Sequence, residues 1–167
     1  CADHAWCRAL LHGSQSPAWP LLRSVIPFDV SACDGSPLIQ AFPEIPEFLR
    51  RPQAAFLRQV DLESFCMNDE TAAEIIATGR LDRVTTLRLD DNEISISAIR
   101  QAVDAGLLQR LAGLGIAGCE FTWQEFKRVV EQPLDHVEWL SIGSFDDPDS
   151  VLADVVTGDM FQSLEHL

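Results

Sequence analysis

The residue types that could ligate a metal lie mainly at the start of the chain. Cys1, His4 and Cys7 are of the types that zinc prefers, and they are spaced three residues apart. On a helix, each step of three residues turns the side chain by about 300°, so three such side chains do not converge on one point. His12 and Cys33 could complete a site, but no matching C-x-x-C pair is present. The sequence therefore predicts no metal site.

Two other segments contain residues that suit a ligand. Asp146, Asp147 and Asp149 offer oxygen donors for calcium, but the segment lacks the glycine and the terminal glutamate of an EF-hand loop. Acidic residues are also favoured at a helix start for electrostatic reasons. Residues 112–118 are rich in glycine, but they have neither the Lys-Ser/Thr ending of a phosphate loop nor the G-x-G-x-x-G spacing of a dinucleotide site. We expect no cofactor.

The four histidines do not assemble into a catalytic site. Nucleophilic catalysis needs a base oriented beside the nucleophile. His136 and His166 lie in the later part of the chain, and neither is expected at a strand position on the exposed surface of a sheet. The sequence therefore predicts that the chain is not an enzyme.

Charge, hydropathy and cysteine content limit the partners and the compartment. The net charge of −14 opposes binding to nucleic acid, and it favours either a basic protein partner or simply the solubility of the chain. The chain has no run of about 18 apolar residues, so no membrane contact is predicted. Its five cysteines are scattered and odd in number, which disfavours a disulfide scaffold and favours the cytoplasm.

Residues 60–167 repeat themselves every 26 or 27 residues. Each unit starts with an apolar residue that is followed two positions later by another, and the first positions are Val60, Leu87, Leu114, Leu140 and Leu167. This alternation predicts a short strand with both apolar side chains on one face. Later in each unit, apolar residues at i, i+3 and i+4 predict one stripe of a helix, as at Ile99, Ala102 and Val103.

Signals for helix starts and ends recur at matching places in the units. The predicted starts are Asn68 or Asp69, Ser97, Thr122 with Glu125 as a capping box, and Asp149 or Ser150. The predicted ends are Gly79, Gly106, Pro133 and Gly158. A unit of this length cannot bury both its strand face and its helix stripe alone, so neighbouring units must stack.

The repeated pattern resembles the leucine-rich repeats. Residues 81–94 match L-x-x-V-x-x-L-x-L-x-x-N-x-I, and residues 108–121 repeat the pattern with Cys119 in place of Asn92. The unit is similar to the ribonuclease-inhibitor-like subtype. This resemblance implies an α/β solenoid, a horseshoe with a parallel sheet on the concave face and helices outside. It also implies that Asn92 and Cys119 bond the backbone of the turn after the strand, and Phe65 and Phe145 depart from that pattern.

The chain divides near residue 59. Residues 1–59 contain seven of the nine prolines and balance five acidic with five basic residues, so residues 60–167 carry the whole net charge. We predict that residues 1–59 form an irregular, mostly helical N-terminal cap, and that residues 60–167 form four repeats and the start of a fifth. Within the cap, residues 21–26 are expected to form a brief helix or turn. A degenerate repeat would start at Cys33, with Ile45, Phe48, Leu49 and Leu57 on its helix and return positions.

The predicted contact surface is the concave face of the sheet. Its first two units present charged residues, its third presents only alanine and glycine, and its fourth presents Trp139. A strip without side chains beside an aromatic residue allows close approach of a partner, and Trp and Arg are enriched at binding hot spots. The candidate partner-binding residues are Asp61, Glu63, Arg88, Asp90, Asp91, Gly113, Gly115, Trp139 and Ser141.

This surface predicts a non-catalytic protein–protein interaction module. The acidic residues would steer a basic partner, and Trp139 and Arg88 would anchor it. An alternative is that the chain is the substrate-recognition or regulatory part of a larger enzyme or signalling protein. A purely architectural repeat array is a third interpretation.

Overall fold

A computed structural model describes residues 24–25, 44–143 and 148–167 and has an α/β fold. Strands and helices alternate along the described chain from residue 44 onward. The strands are β1 (Ser24–Val25), β2 (Gln59–Asp61), β3 (Thr86–Arg88), β4 (Gly113–Gly115) and β5 (Trp139–Ser141). The helices are α1 (Glu44–Leu49), α2 (Asp69–Ala77), α3 (Ile96–Asp104), α4 (Trp123–Val129) and α5 (Pro148–Thr157). Short 3-10 turns at Pro52–Phe56, Leu81–Arg83 and Leu108–Arg110 lead into β2, β3 and β4.

The five strands form one parallel sheet whose spatial order is their order in the sequence. Val60 pairs with Leu87, Leu87 with Leu114, and Leu114 with Leu140. This is the alignment that the spacing of the apolar residues predicts, and the prediction is confirmed. His166 pairs in parallel with Trp139 at the next position of the same ladder.

The apolar positions of the repeat form a continuous core between the sheet and the helices. The central strand residues of the four units, Val60, Leu87, Leu114 and Leu140, are at most 3% exposed. The helix stripes of α3 and α4 are buried through Ile99, Ala102 and Phe126, with Val129 at their edge. Since no strand exceeds three residues, burial against neighbouring units, rather than any isolated element, stabilises the fold.

The turn after each strand recurs with the unit. Ser64, Asp91 and Gly118 are spaced 27 residues apart, and all three have φ between 53° and 65°. Asn92 closes the turn between two units: its Nδ2 donates to the carbonyls of Leu62 and Leu89 at 2.8 and 2.9 Å, and its Oδ1 accepts from the Met67 amide at 2.9 Å. The side chain is only 3% exposed, so these bonds are sheltered from water.

Cys119 takes the corresponding place one unit later. Its Sγ donates to the Leu89 carbonyl at 3.3 Å, which repeats the bond from Asn92 to Leu62 in the preceding unit. Phe65, the residue that departs from this pattern, is buried in the core with 2% exposure. Phe145 lies outside the described residues.

The predicted helix starts are confirmed at two helices and wrong at two. Asn68 caps α2, and Thr122 and Glu125 form the predicted capping box of α4. For α3, the cap is Ser95 rather than Ser97, because the Ser95 hydroxyl accepts from the Ser97 amide. The Asp69 carboxylate of the neighbouring unit fixes Ser95 by accepting from both its amide and its hydroxyl.

Helix α5 begins at Pro148, so Asp149 and Ser150 are inside it and not at its start. Proline is favoured at the first position of a helix because its missing N–H would have no partner there.

The N-terminal segment is described only in part. Helix α1 buries Ile45, Phe48 and Leu49, as predicted. Val25 pairs with Val60, so part of residues 21–26 is a strand and not the expected helix or turn. Cys33 lies outside the described residues.

The described residues bear on three further expectations. Cys66 is disulfide-bonded, although the number and spacing of the cysteines predict no disulfide scaffold. Cys119 is free. Cys1, His4, Cys7, Asp146 and Asp147 lie outside the described residues. In the described ranges, no group of three or more His, Cys, Asp or Glu side chains is placed to hold a metal ion. No helix there is long and apolar enough to cross a membrane.

We predict that Asn92→Ala lowers the free energy of unfolding by about 3 kcal/mol, because it removes the side-chain partner of the buried Met67 amide and of the Leu62 carbonyl and one of the two donors to the Leu89 carbonyl. Urea unfolding measures the change. The matched control is Asn68→Ala, which removes an exposed helix cap and should cost about 1 kcal/mol. Equal losses in the two variants would contradict the role of Asn92.

Candidate functional site

A groove of about 440 Å³ crosses the face of the sheet that points away from the helices. We call this the sheet groove. Its walls come from equivalent positions on successive strands, so side chains far apart in the sequence stand side by side. The lining residues are Gln59, Val60, Asp61, Thr86, Arg88, Ala112, Gly113, Glu138, Trp139, Glu165 and His166.

Arg88 is the centre of the charged part of this face. Its Nη1 lies 3.2 Å from Asp61 Oδ2 and its Nε lies 3.2 Å from Asp90 Oδ2, while its Nη2 pairs with Glu63. The guanidinium carbon also lies 5.6 Å from the ring centroid of Trp139, within the range of a cation–π interaction. One cation thus holds three carboxylates and an aromatic ring in place.

These contacts shift two pKa values. Partial burial opposes the charge on Arg88, but Asp61, Asp90 and Glu63 outweigh it and raise the pKa of Arg88, which therefore stays charged. Burial raises the pKa of Glu63 above the ordinary value of a glutamate carboxyl; Arg88 acts against this rise, and Asp90 and Asp61 add to it. Folding thus disfavours the charge on Glu63.

Asp90 is a structural residue and not a steering charge. It is 2% exposed, and its Oδ1 accepts from the amide of Ala117 at 3.0 Å while Oδ2 faces Arg88. Gly115 makes room for it, because a Cβ atom at that position would collide with the Asp90 carboxylate. The glycine is required by this side chain, which comes from the turn after β3 in the neighbouring unit.

Gly113 is covered in a similar way. A Cβ there would lie 2.9 Å from Thr86 Cγ2 and 3.3 Å from Trp139 Cε3, so the neighbouring strands on both sides occupy the space. Gly113 and Gly115 are both buried. The expectation that they form a bare strip is therefore wrong, since side chains of the two neighbouring units already cover them.

The structure brings some of the nine candidate residues together and separates others. Asp61, Arg88, Gly113 and Trp139 line the sheet groove, with Glu63 paired to Arg88 beside it. Asp91 is exposed in the turn after β3, where its carboxylate lies over Gly118. Ser141 is half-buried, and its carbonyl accepts from the amide of Ile116 at 2.9 Å. Asp91 and Ser141 do not line the groove.

Seven of the eleven groove residues were missing from the candidates, and three of these seven stand out. Glu138, Glu165 and His166 close the groove beside Trp139. The expectation that His166 lies off the exposed sheet surface is wrong, because it pairs with Trp139. The 27-residue spacing from Trp139 to His166 and from Glu138 to Glu165 is the signal that could have identified them.

The cysteine thiol of the described residues is not poised for chemistry. Burial raises the pKa of Cys119 to about 12, so its thiol is protonated at neutral pH and donates to the carbonyl of Leu89.

In comparisons with known proteins, no family model matches the chain and no curated protein matches it. What the sheet groove does must therefore follow from its own geometry.

We predict that Gly115→Ala lowers the free energy of unfolding by about 2 to 3 kcal/mol, because its Cβ displaces Asp90 from Arg88 and from the Ala117 amide. The matched control is Gly143→Ala, whose Cβ would lie 3.3 Å from that of Ala117 and displaces no charged group. Thermal and urea unfolding measure both. A Gly115→Ala variant as stable as the control would show that Asp90 does not need this space.

We predict that the pKa of Glu63 lies above the ordinary value of a glutamate carboxyl and that Arg88→Met raises it further, because Arg88 is the group that lowers it. Folding disfavours ionised Glu63, so its penalty on stability is present above the folded pKa and is relieved as the pH falls through it. NMR titration of the side-chain carboxyl measures the shift, with Arg83→Met as the control. A pKa of Glu63 at or below that of a glutamate in an unfolded peptide would contradict this prediction.

Proposed function

We propose that the chain is a non-catalytic protein-binding module of the leucine-rich-repeat type, and that its partner docks in the sheet groove through a basic side chain. Support for the repeat type comes from the parallel in-register strands, the turns spaced 27 residues apart and the buried bonds of Asn92. A parallel sheet is normally covered on both faces. Here one face carries a groove.

The observation that carries this proposal is that two carboxylates of the groove have no cationic partner among the described residues, whereas a third is paired. Asp61 is paired with Arg88, but Glu138 and Glu165 form no salt bridge among the described residues. They stand on adjacent rungs of a parallel ladder, where like charges repel. A cation from a partner would relieve that repulsion and lie beside the ring of Trp139.

Arg88 acts in this proposal as a positioning residue and not as the anchor expected from the sequence. Its three side-chain nitrogens are engaged by carboxylates within the chain. Arg88 holds the ring of Trp139 in place. A ring that is already fixed loses less conformational entropy when a partner binds than a mobile ring would. Trp139, Glu138 and Glu165 are therefore the contact residues that we propose.

We propose two settings for this module: it acts by itself, or it is part of a larger protein. The same groove would serve as the recognition part of a larger enzyme or signalling protein, and a binding module fits either setting.

The disulfide at Cys66 argues against the cytoplasmic location predicted from the sequence, because disulfides persist mainly in oxidising compartments.

We predict that a displayed peptide library selected on the wild-type chain is enriched in Lys and Arg. Binding of the selected peptides should weaken about thirtyfold with Trp139→Ala, the loss of a hot-spot residue. It should weaken severalfold with Glu138→Gln/Glu165→Gln, and its association rate should fall with added salt.

The control is Glu70→Gln/Glu131→Gln, which removes two exposed carboxylates outside the groove. Circular dichroism checks that each variant is folded. Selection of neutral or acidic peptides, or peptides that bind the groove variants as tightly as wild type, would overturn the proposed function.

A further inference from the structure

A row of residues, one from each unit, crosses the sheet beside the sheet groove at the position before the strand. The row is Arg58, Thr85, Ala112, Glu138 and Glu165, and we call it the entry row. Each of its last four members donates its amide to the carbonyl of the member before it, at 2.7 to 2.8 Å. These bonds fix the order and the spacing of the row from one unit to the next.

The two ends of the entry row carry opposite charges. Arg58 is exposed at the first end, and its Nη1 donates to the backbone carbonyl of Arg83 at 2.9 Å, which holds the guanidinium without neutralising it. Glu138 and Glu165 are exposed at the other end. Arg58, Glu138 and Glu165 form no salt bridge with any residue that the structure describes. Each end can therefore pair with an opposite charge from a partner.

The middle of the entry row has only short side chains. The hydroxyl of Thr85 donates to the Arg58 carbonyl at 3.2 Å, and Ala112 lines the sheet groove. A partner segment can therefore cross these two positions without meeting a long side chain of the row.

The spacing of the strands sets the distance between the charged ends. Spacings of about 4.8 Å between neighbouring strands place the backbone of Glu138 about 14 Å and that of Glu165 about 19 Å from Arg58. The Debye length in physiological salt is about 8 Å, so the two ends do not neutralise each other. An extended segment advances about 3.3 Å per residue and turns alternate side chains to one face, so side chains four and six residues apart match these distances.

We infer that the partner binds as an extended segment that crosses the strands, with an acidic side chain on Arg58 and basic side chains on Glu138 and Glu165. The basic residues lie four and six residues from the acidic one. This inference rests on the proposed function, and it adds the conformation of the bound segment and the order and spacing of its charges.

The charges around Arg58 disfavour a wholly basic segment. Such a segment would bring a cation against Arg58 and Arg83, both of which are exposed, and like charges across an interface repel. Asp61, on the strand that follows Arg58, lies 3.2 Å from Arg88 and already has a cationic partner. An acidic side chain is therefore the complement of this end of the row.

The test uses the peptides that the displayed library yields on the wild-type chain. We expect an acidic residue four residues from a basic one in these peptides. Arg58→Glu should weaken their binding about fivefold relative to Arg100→Glu, which makes the same change of charge at an exposed position of α3. Replacing the acidic residue of the peptide by Lys should reverse the preference, so that the Arg58→Glu chain binds the new peptide more tightly than wild type does.

Fluorescence anisotropy measures each Kd, and circular dichroism checks that each variant is folded. Peptides that lose affinity with Trp139→Ala but bind Arg58→Glu and Arg100→Glu equally would overturn this inference and leave the proposed function standing. An acidic and a basic residue about nine positions apart, the number that spans 14 Å in a helix, would also overturn it. Peptides whose affinity no groove variant lowers would overturn the proposed function itself.

Discussion

The parallel register between units is the constraint on which the structure depends. Each strand has at most three residues and the described helices have six to ten, so none of these elements is stable by itself. Their apolar residues are buried only when Val60, Leu87, Leu114 and Leu140 lie next to one another. A slip of one residue would turn these side chains to the exposed face, which is why the spacing of 26 or 27 residues is kept.

The same register builds the sheet groove. It places Asp61 next to Arg88, and Arg88 next to Gly115, so that a cation, its carboxylates and the space for them come from three different units. The glycines of β4 are therefore consequences of their neighbours: Asp90 lies over one, and Thr86 and Trp139 lie over the other. A substitution in one unit therefore changes the contacts of the neighbouring units.

The fold was more predictable from the sequence than the site. Strand alignment and helix stripes follow from apolar spacing, which is local information repeated four times. The direction in which a polar side chain points does not follow from this local information. Asp90 occupies a position that predicts an exposed charge, yet its carboxylate is pulled inward by the Ala117 amide and by Arg88. Ser95 likewise displaced Ser97 as a helix cap because Asp69, from another unit, bonds it. Contacts between units decide both cases.

Through-hydrogen-bond NMR couplings test the register most directly. The account predicts couplings from the Leu62 amide to the Arg88 carbonyl, from Leu89 to Gly115 and from Ile116 to Ser141, which are bonds of 2.8 to 2.9 Å that step across β2 to β5. All three should appear in one sample of the intact chain. Couplings shifted to neighbouring carbonyls, or protected amides without any of these three couplings, would contradict the stacked arrangement.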